Sequence, residues 1–156
     1  TTFPPGMTIL TFSTLYWVSA VTISVVSILF RWNRLVYPRF KEGRSIWNVI
    51  KTYKVNYFSV NPHQVLDMCK NGKPSDADTS SLVVVALAGA PLTEEQILHI
   101  RRCFDFPNAL VMNTYGQTET SVNTLGFNPA RDPNDMKFLT DKPLSVGRPM
   151  PGFTYK

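Results

Sequence analysis

With 156 residues, 44% of them hydrophobic and 17% charged, the chain can bury one moderate core and is too apolar for a disordered protein. Its net charge of +5 raises the question of nucleic acid. The basic stretch Arg31, Arg34, Arg39, Lys41, Arg44, Lys51 and Lys54 has no nucleic-acid module spacing, however, and reads as a solvated face. Cys69 and Cys103 stand alone in helical patterns, with no metal-ligand spacing and no support for a disulfide framework, as free thiols in a reducing compartment would.

Residues 7–30 carry no charge, and their small polar residues are all Ser or Thr. Two readings compete. One is a membrane helix flanked by Arg31 and Arg34, which would make this a small anchored, nonenzymatic protein. The other is a strand over residues 7–12, a Ser13-Thr14 cap, and a helix over 15–29 that is apolar on all sides because it is buried. The second agrees with the α/β pattern of the remaining chain, so no stable membrane span is expected.

Strand–helix alternation follows. Leu35-Val36-Tyr37 reads as a short strand, residues 46–53 as a helix with Ile46, Val49, Ile50 and Tyr53 on one face, and residues 55–60 as another strand. Asn61 can cap the next helix, Pro62 suits its first position, and Gly72 falls where a left-handed residue ends it. Residues 73–81 form a surface loop. Residues 82–88 are continuously apolar, which predicts a central strand of a parallel sheet covered on both faces.

The turn Gly89-Ala90-Pro91 comes next, then a helix with capping-box spacing at Thr93 and Gln96 and acids Glu94 and Glu95 in its first turn. Its apolar stripe is Ile97, Ile100 and Phe104, with Arg101 and Arg102 at the negative end. Residues 109–112 make a further strand. A right-handed crossover renders the two strands parallel, so the Gly89 turn and the loop after residue 112 leave the same edge of the sheet. If the strands are neighbours, the two loops form one crevice. Residues 132–141 read as a polar loop without the ligand alternation of a calcium site. His63 and His99 have no acid or nucleophile beside them in sequence and read as structural or exposed.

The loop Asn113-Thr114-Tyr115-Gly116-Gln117-Thr118-Glu119 is suited to a nucleotide. Tyr115 offers a flat face to a base, Gly116 permits close backbone approach, Thr118 can donate to a phosphate oxygen, and Glu119 can hold Mg2+ beside it.

This loop resembles the Tyr-Gly-x-Thr-Glu signature of the adenylate-forming superfamily, which includes acyl-CoA synthetases, 4-coumarate:CoA ligases, luciferases and peptide-synthetase adenylation domains. Two further segments agree in order: Ala88-Gly89-Ala90-Pro91-Leu92-Thr93 is similar to the turn lining the adenine site, and Ser145-Val146-Gly147-Arg148-Pro149-Met150-Pro151-Gly152 to a Gly-Arg/Lys-Pro-x-Pro-Gly stretch. The resemblance implies an α/β fold with a largely parallel sheet and flanking helices. It also implies ATP-dependent activation of a small-molecule carboxylic acid to an acyl-adenylate, followed by thioester formation with coenzyme A.

In that resemblance Gly89, Ala90 and Pro91 contact adenine through their backbone, Tyr115 stacks on it, and Asn113 holds its amino group. Thr114, Gly116 and Gln117 complete the nucleotide loop, Thr118 binds the α-phosphate, and Glu119 binds Mg2+. Thr118 and Glu119 are the implied catalytic pair. Thr14, Tyr16, Ala88 and Asn123, with Trp17 and Ala20, are the implied acyl-pocket residues. Ser13 and Thr14 stand where the family often has a histidine, a departure that bears on the substrate gate and leaves a dead, nucleotide-binding relative as a rival. An intracellular location is implied, and peroxisomal residence fits the group. The chain starts without Met and stops just after a glycine turn, so the expectation is an internal piece of the large N-terminal domain. The phosphate loop would lie upstream, and the hinge, catalytic lysine and C-terminal domain downstream.

Overall fold

The computed structural model describes residues 5–36, 43–120, 123–129 and 132–154. Its elements in chain order are β1 (Thr8–Thr11), α1 (Val18–Phe30), β2 (Asn33–Val36), α2 (Gly43–Tyr53), β3 (Tyr57–Val60), α3 (Pro62–Cys69) and β4 (Val84–Leu87). Then come α4 (Glu94–Cys103), β5 (Leu110–Asn113), β6 (Tyr115–Gly116), β7 (Asn123–Gly126), α5 (Asn134–Asp141) and β8 (Arg148–Pro149). Five strands form a sheet in the order β2-β1-β3-β4-β5, every pairing parallel. The last three form a small antiparallel sheet in the order β6-β7-β8.

Strand alternation divides the large sheet into two faces. Leu10, Phe58, Val60, Val85, Leu87 and Val111 pack against α2, α3 and α4, whose contributions include Trp47, Ile50, Val65 and Ile97, and against Phe104 just after α4. Trp47 and Phe104 are fully buried, with ring centroids 4.9 Å apart, and each large side chain removed from water there contributes about 2–3 kcal/mol. The opposite face carries Val84, Ala86 and Met112, partly covered by Phe127 and Leu139. Both faces of β4 are therefore buried, as its unbroken apolar run requires. It is interior rather than central: β3 takes the middle of the sheet.

The capping signals translate directly. Asn61 caps α3 reciprocally with Gln64, and Thr93 caps α4 reciprocally with Gln96. Gly72 adopts φ +76° after α3. In α2 the inward face is Ile46, Trp47 and Ile50, while Tyr53, expected on that face, is the last residue of the helix and is exposed.

Several expectations are corrected. Ser13 and Thr14 do not cap α1, which begins at Val18 with Trp17 as its boundary and no side-chain cap. The Ser13 hydroxyl accepts from Ser19 at 3.2 Å, and Thr14 closes a turn through its carbonyl to the Trp17 N–H. Nor is α1 buried on all sides. Ala20 and Ser27 face inward, whereas Val21, Val25, Ile28 and Leu29 are exposed, because no described element lies over them. The 13 residues of α1 extend roughly 20 Å, short of a ~30 Å hydrocarbon layer. Among the described residues no helix is long and apolar enough to cross a membrane.

The segment 132–141, expected to be a loop, contains α5. Asp132 accepts the Asn134 N–H at 2.9 Å just before it, and Asp135 is buried beneath it, paired with Arg148 and bonded to the Asn128 N–H. Polar residues that read as a loop are thus helix-starting and helix-anchoring groups. Cys69 and Cys103 are free and buried, yet not isolated: α3 and α4 bring the two thiols close enough for each to shift the other's titration, upward at Cys69 and downward at Cys103, and Cys103 Sγ lies 4.0 Å from His99 Nε2. Of the basic stretch, Arg44 pairs with Asp76 and Lys54 with Asp78, so part of it faces acids of the 73–81 loop. Arg39, Lys41 and Tyr37 lie outside the described residues.

Candidate active site

The site begins with the pairing of β4 and β5, in which Leu87 is opposite Asn113. Both strands end at that level, so the Gly89 turn and the Tyr115 loop leave side by side. Thr114 ties them together: its N–H donates to the Leu87 carbonyl at 2.9 Å and its hydroxyl to the same oxygen at 3.1 Å. Gly89 has φ +91°, a conformation that side chains resist, and a Cβ there would approach the Asn61 side-chain amide.

A cavity of about 410 Å3 opens between these loops and α1. Ala88, Gly89, Thr114, Gly116, Gln117, Thr118 and Asn123 line it, which brings seven of the sequence-derived site residues into one wall. Trp17, also expected in the acyl pocket, contributes to the opposite wall. The remaining expected residues stand elsewhere. Ala90 and Pro91 continue the turn beyond the cavity, Asn113 is buried at the end of β5, and Ala20 is buried under α1. Tyr16 is 90% exposed and stacks edge-on against Trp17, and Thr14 is exposed, so neither forms part of the wall.

Tyr115 and Gly116 form β6, paired across to Leu125 and Asn123 with a register irregularity between them. Neither Tyr115 nor Glu119 lines the cavity. Tyr115 presents a half-exposed ring, and Thr118–Thr120 make a single 3-10 turn that begins at the expected phosphate-binding hydroxyl. Glu119 in that turn is exposed. Among the described residues no cluster of three His, Cys, Asp or Glu could hold a metal alone. One accessible carboxylate beside a hydroxyl fits a Mg2+ that shares its coordination with phosphate oxygens, since Mg2+ takes few protein ligands and keeps several waters.

Sequence reading missed Tyr57, Ser59, Asn61 and Ala86, which also line the cavity. Alternation along β3 and β4 was the available signal: Phe58, Val60, Val85 and Leu87 face the helices, which leaves Tyr57, Ser59 and Ala86 on the cavity side. Burial pushes the Tyr57 phenol up to about 12. Asn61 both caps α3 and reaches the crevice.

A profile of the AMP-binding enzyme family matches residues 1–156. The chain belongs to that family. Curated AMP-binding relatives include the acetyl-coenzyme A synthetase of Methanothrix thermoacetophila, 28% identical over 118 residues, 74% of this chain and 17% of that protein. The 4-coumarate–CoA ligase 1 of Glycine max is 35% identical over 104 residues, 66% of this chain and 34% of that protein. The chain therefore spans well under half the length of these relatives.

Among solved structures of AMP-binding proteins, the luciferase-like enzyme of the mealworm Zophobas morio superposes with a TM-score of 0.79 at 25% identity, covering 91% of this chain and 32% of that one. The o-succinylbenzoate CoA synthetase of Bacillus subtilis, solved with its acyl-adenylate intermediate, gives a TM-score of 0.73 at 19% identity, over 92% of this chain and 27% of that one. The fold is that of the N-terminal domain of adenylate-forming enzymes, a largely parallel sheet with flanking helices.

Proposed function

We propose that this chain is the central part of the large domain of an acid–thiol ligase, which activates a carboxylic acid with ATP and passes the acyl group to coenzyme A. The observation that carries the reading is the parallel pairing of β4 and β5, which sets Gly89, Gly116 and Thr118 in one crevice wall. Curated relatives that are acetyl-coenzyme A synthetases and a 4-coumarate–CoA ligase support it.

In this reading adenine lies against the Gly89-Ala90-Pro91 backbone with Tyr115 on its face, and Asn113 and Thr114 set the loop from behind. The carboxylate attacks the α-phosphorus and pyrophosphate leaves. Charge builds on the phosphate oxygens, where the Thr118 hydroxyl donates a hydrogen bond. Mg2+ held by Glu119 would supply Lewis-acid neutralisation of the same charge. The coenzyme A thiol then displaces AMP at the acyl carbon to leave the thioester. Ala88 and Asn123 bound the acyl end of the crevice. In this reading the phosphate loop and catalytic lysine would be supplied by other parts of a longer polypeptide. Free buried thiols at Cys69 and Cys103 accord with an intracellular location.

The test is acid-dependent ATP–pyrophosphate exchange by the longer polypeptide and its Glu119→Ala variant. The expected result is exchange that falls at least a hundredfold in the variant, with no exchange by the 156-residue chain alone. Exchange indifferent to Glu119, or none with any acid, contradicts the reading.

A further inference from the structure

We propose that Asn61 is a further nucleotide-binding residue of the crevice, whose side-chain amide donates a hydrogen bond to a ring nitrogen of the adenine base. This rests on the adenylation reading and adds to it a residue that follows β3, outside the two loops that define the site.

The backbone fixes where Asn61 stands. Val60, Leu87 and Asn113 are aligned across β3, β4 and β5, and all three strands end at that level. The Ala88 N–H donates to the Val60 carbonyl at 3.4 Å, just as the Thr114 N–H donates to that of Leu87. The residues after each strand therefore leave one edge of the sheet together, and Asn61 emerges beside Gly89. Its side-chain nitrogen lies 3.2 Å from the point that a Cβ on Gly89 would occupy, and both residues line the crevice.

Capping fixes which end of the amide is left over. Asn61 Oδ1 accepts the His63 N–H at 2.9 Å, and the Asn61 backbone N–H donates to Gln64 Oε1 at 3.4 Å, so the start of α3 holds the residue from two sides. Only the oxygen of the amide can accept from an N–H, which leaves Nδ2 on the Gly89 side. Among the described residues nothing accepts from Nδ2. A serine or an aspartate would cap α3 as well as asparagine does and would bring no NH2 group. The donors of Nδ2 are thus surplus to the fold, and they sit on a side chain already held in place, which lowers the entropy cost of binding.

A ligand beside them must supply an acceptor. In the adenylation reading the flat base lies against the Gly89 backbone, and the missing Cβ lets its edge approach Nδ2. Adenine offers its ring nitrogens N1, N3 and N7 as acceptors there.

The experiment is calorimetric titration of the longer polypeptide with ATP and with its 1-deaza, 3-deaza and 7-deaza analogues, each of which replaces one ring nitrogen by C–H. Wild type is compared with Asn61→Ser and Asn61→Asp, which keep the cap. The expected result is that one analogue binds wild type about tenfold more weakly than ATP does. Asn61→Ser loses about tenfold in ATP affinity and no longer distinguishes ATP from that analogue. Asn61→Asp, which sets acceptor against acceptor, binds ATP more weakly still. Wild-type binding indifferent to all three ring nitrogens overturns the inference and leaves adenylation standing. So does a folded Asn61→Ser that binds ATP as wild type does, or that keeps the wild-type preference for ATP over the analogue. Failure of both variants to fold would mean that the NH2 group serves the fold, which also overturns it. No ATP binding by wild type overturns the adenylation reading and this inference together.

Discussion

Thr114 grips the carbonyl of Leu87 twice, with its N–H at 2.9 Å and its hydroxyl at 3.1 Å. The exit of β5 is thereby fixed to the exit of β4, and the two loops that form the crevice wall are held at one spacing. Thr114→Val keeps the shape and the N–H bond and removes the hydroxyl bond. The expected loss is about 1 kcal/mol of stability by denaturant titration, together with weaker nucleotide binding. Unchanged stability and affinity would show that the hydroxyl does not set the crevice.

Gly147 explains the glycine of the third motif. Its φ is +90°, and a Cβ there would overlap the Gly126 carbonyl at the end of β7, where β8 pairs. Gly147→Ala is expected to cost about 3 kcal/mol or more by thermal or denaturant unfolding. Gly152, also at positive φ but facing open space, serves as the control, and Gly152→Ala costs only about 1 kcal/mol. Equal costs at the two positions would remove the steric account.

Asp78, Asp105 and Asp132 are all held below their usual value of 3.8. Lys54 donates to Asp78, Lys73 to Asp105, and the Asn134 backbone followed by Arg148 to Asp132. Because each folded value lies below the unfolded one, these carboxylates contribute stability at pH above about 4, and it is lost as pH falls through the folded values. The melting temperature should decline steeply below about pH 4 and less steeply in Lys54→Met and Lys73→Met. Identical acid limbs in all three proteins would contradict the assignment.

The outer side of α1 carries Val21 and Ile28, exposed by 47% and 77%. Val21→Lys combined with Ile28→Glu is expected to change the stability of this chain by no more than about 0.5 kcal/mol and to reduce its binding of anilinonaphthalene sulfonate. A loss of several kcal/mol would mean that this side is packed.

Much of the fold was legible because its signals are local. The caps at Asn61 and Thr93 lie within three residues of their partners, and the unbroken apolar run of β4 reports burial on two faces by itself. The crevice was legible for a topological reason: a right-handed crossover puts both loops on one edge whatever the side chains. Features set by contacts distant in sequence were not legible. The thiols of Cys69 and Cys103 meet only because α3 and α4 lie side by side. Asp135 reads as a loop acid until Arg148 folds back onto it. For α1 the composition reported apolarity correctly, but composition cannot say which side of a helix has a neighbour. Tyr57, Ser59 and Ala86 went unnoticed because alternation separates the two faces of a strand but does not say which face borders a cavity.

The central claim is that the Gly89 turn and the Tyr115 loop form a single adenylate site. Calorimetric titration of the longer polypeptide with a nonhydrolysable acyl-adenylate analogue, an acyl sulfamoyl adenosine, tests it most directly when wild type is compared with Gly89→Val and Thr118→Val. The account predicts saturable one-to-one binding to wild type, weakened at least tenfold by each substitution in a protein that remains folded. Binding of equal strength in all three proteins would contradict it.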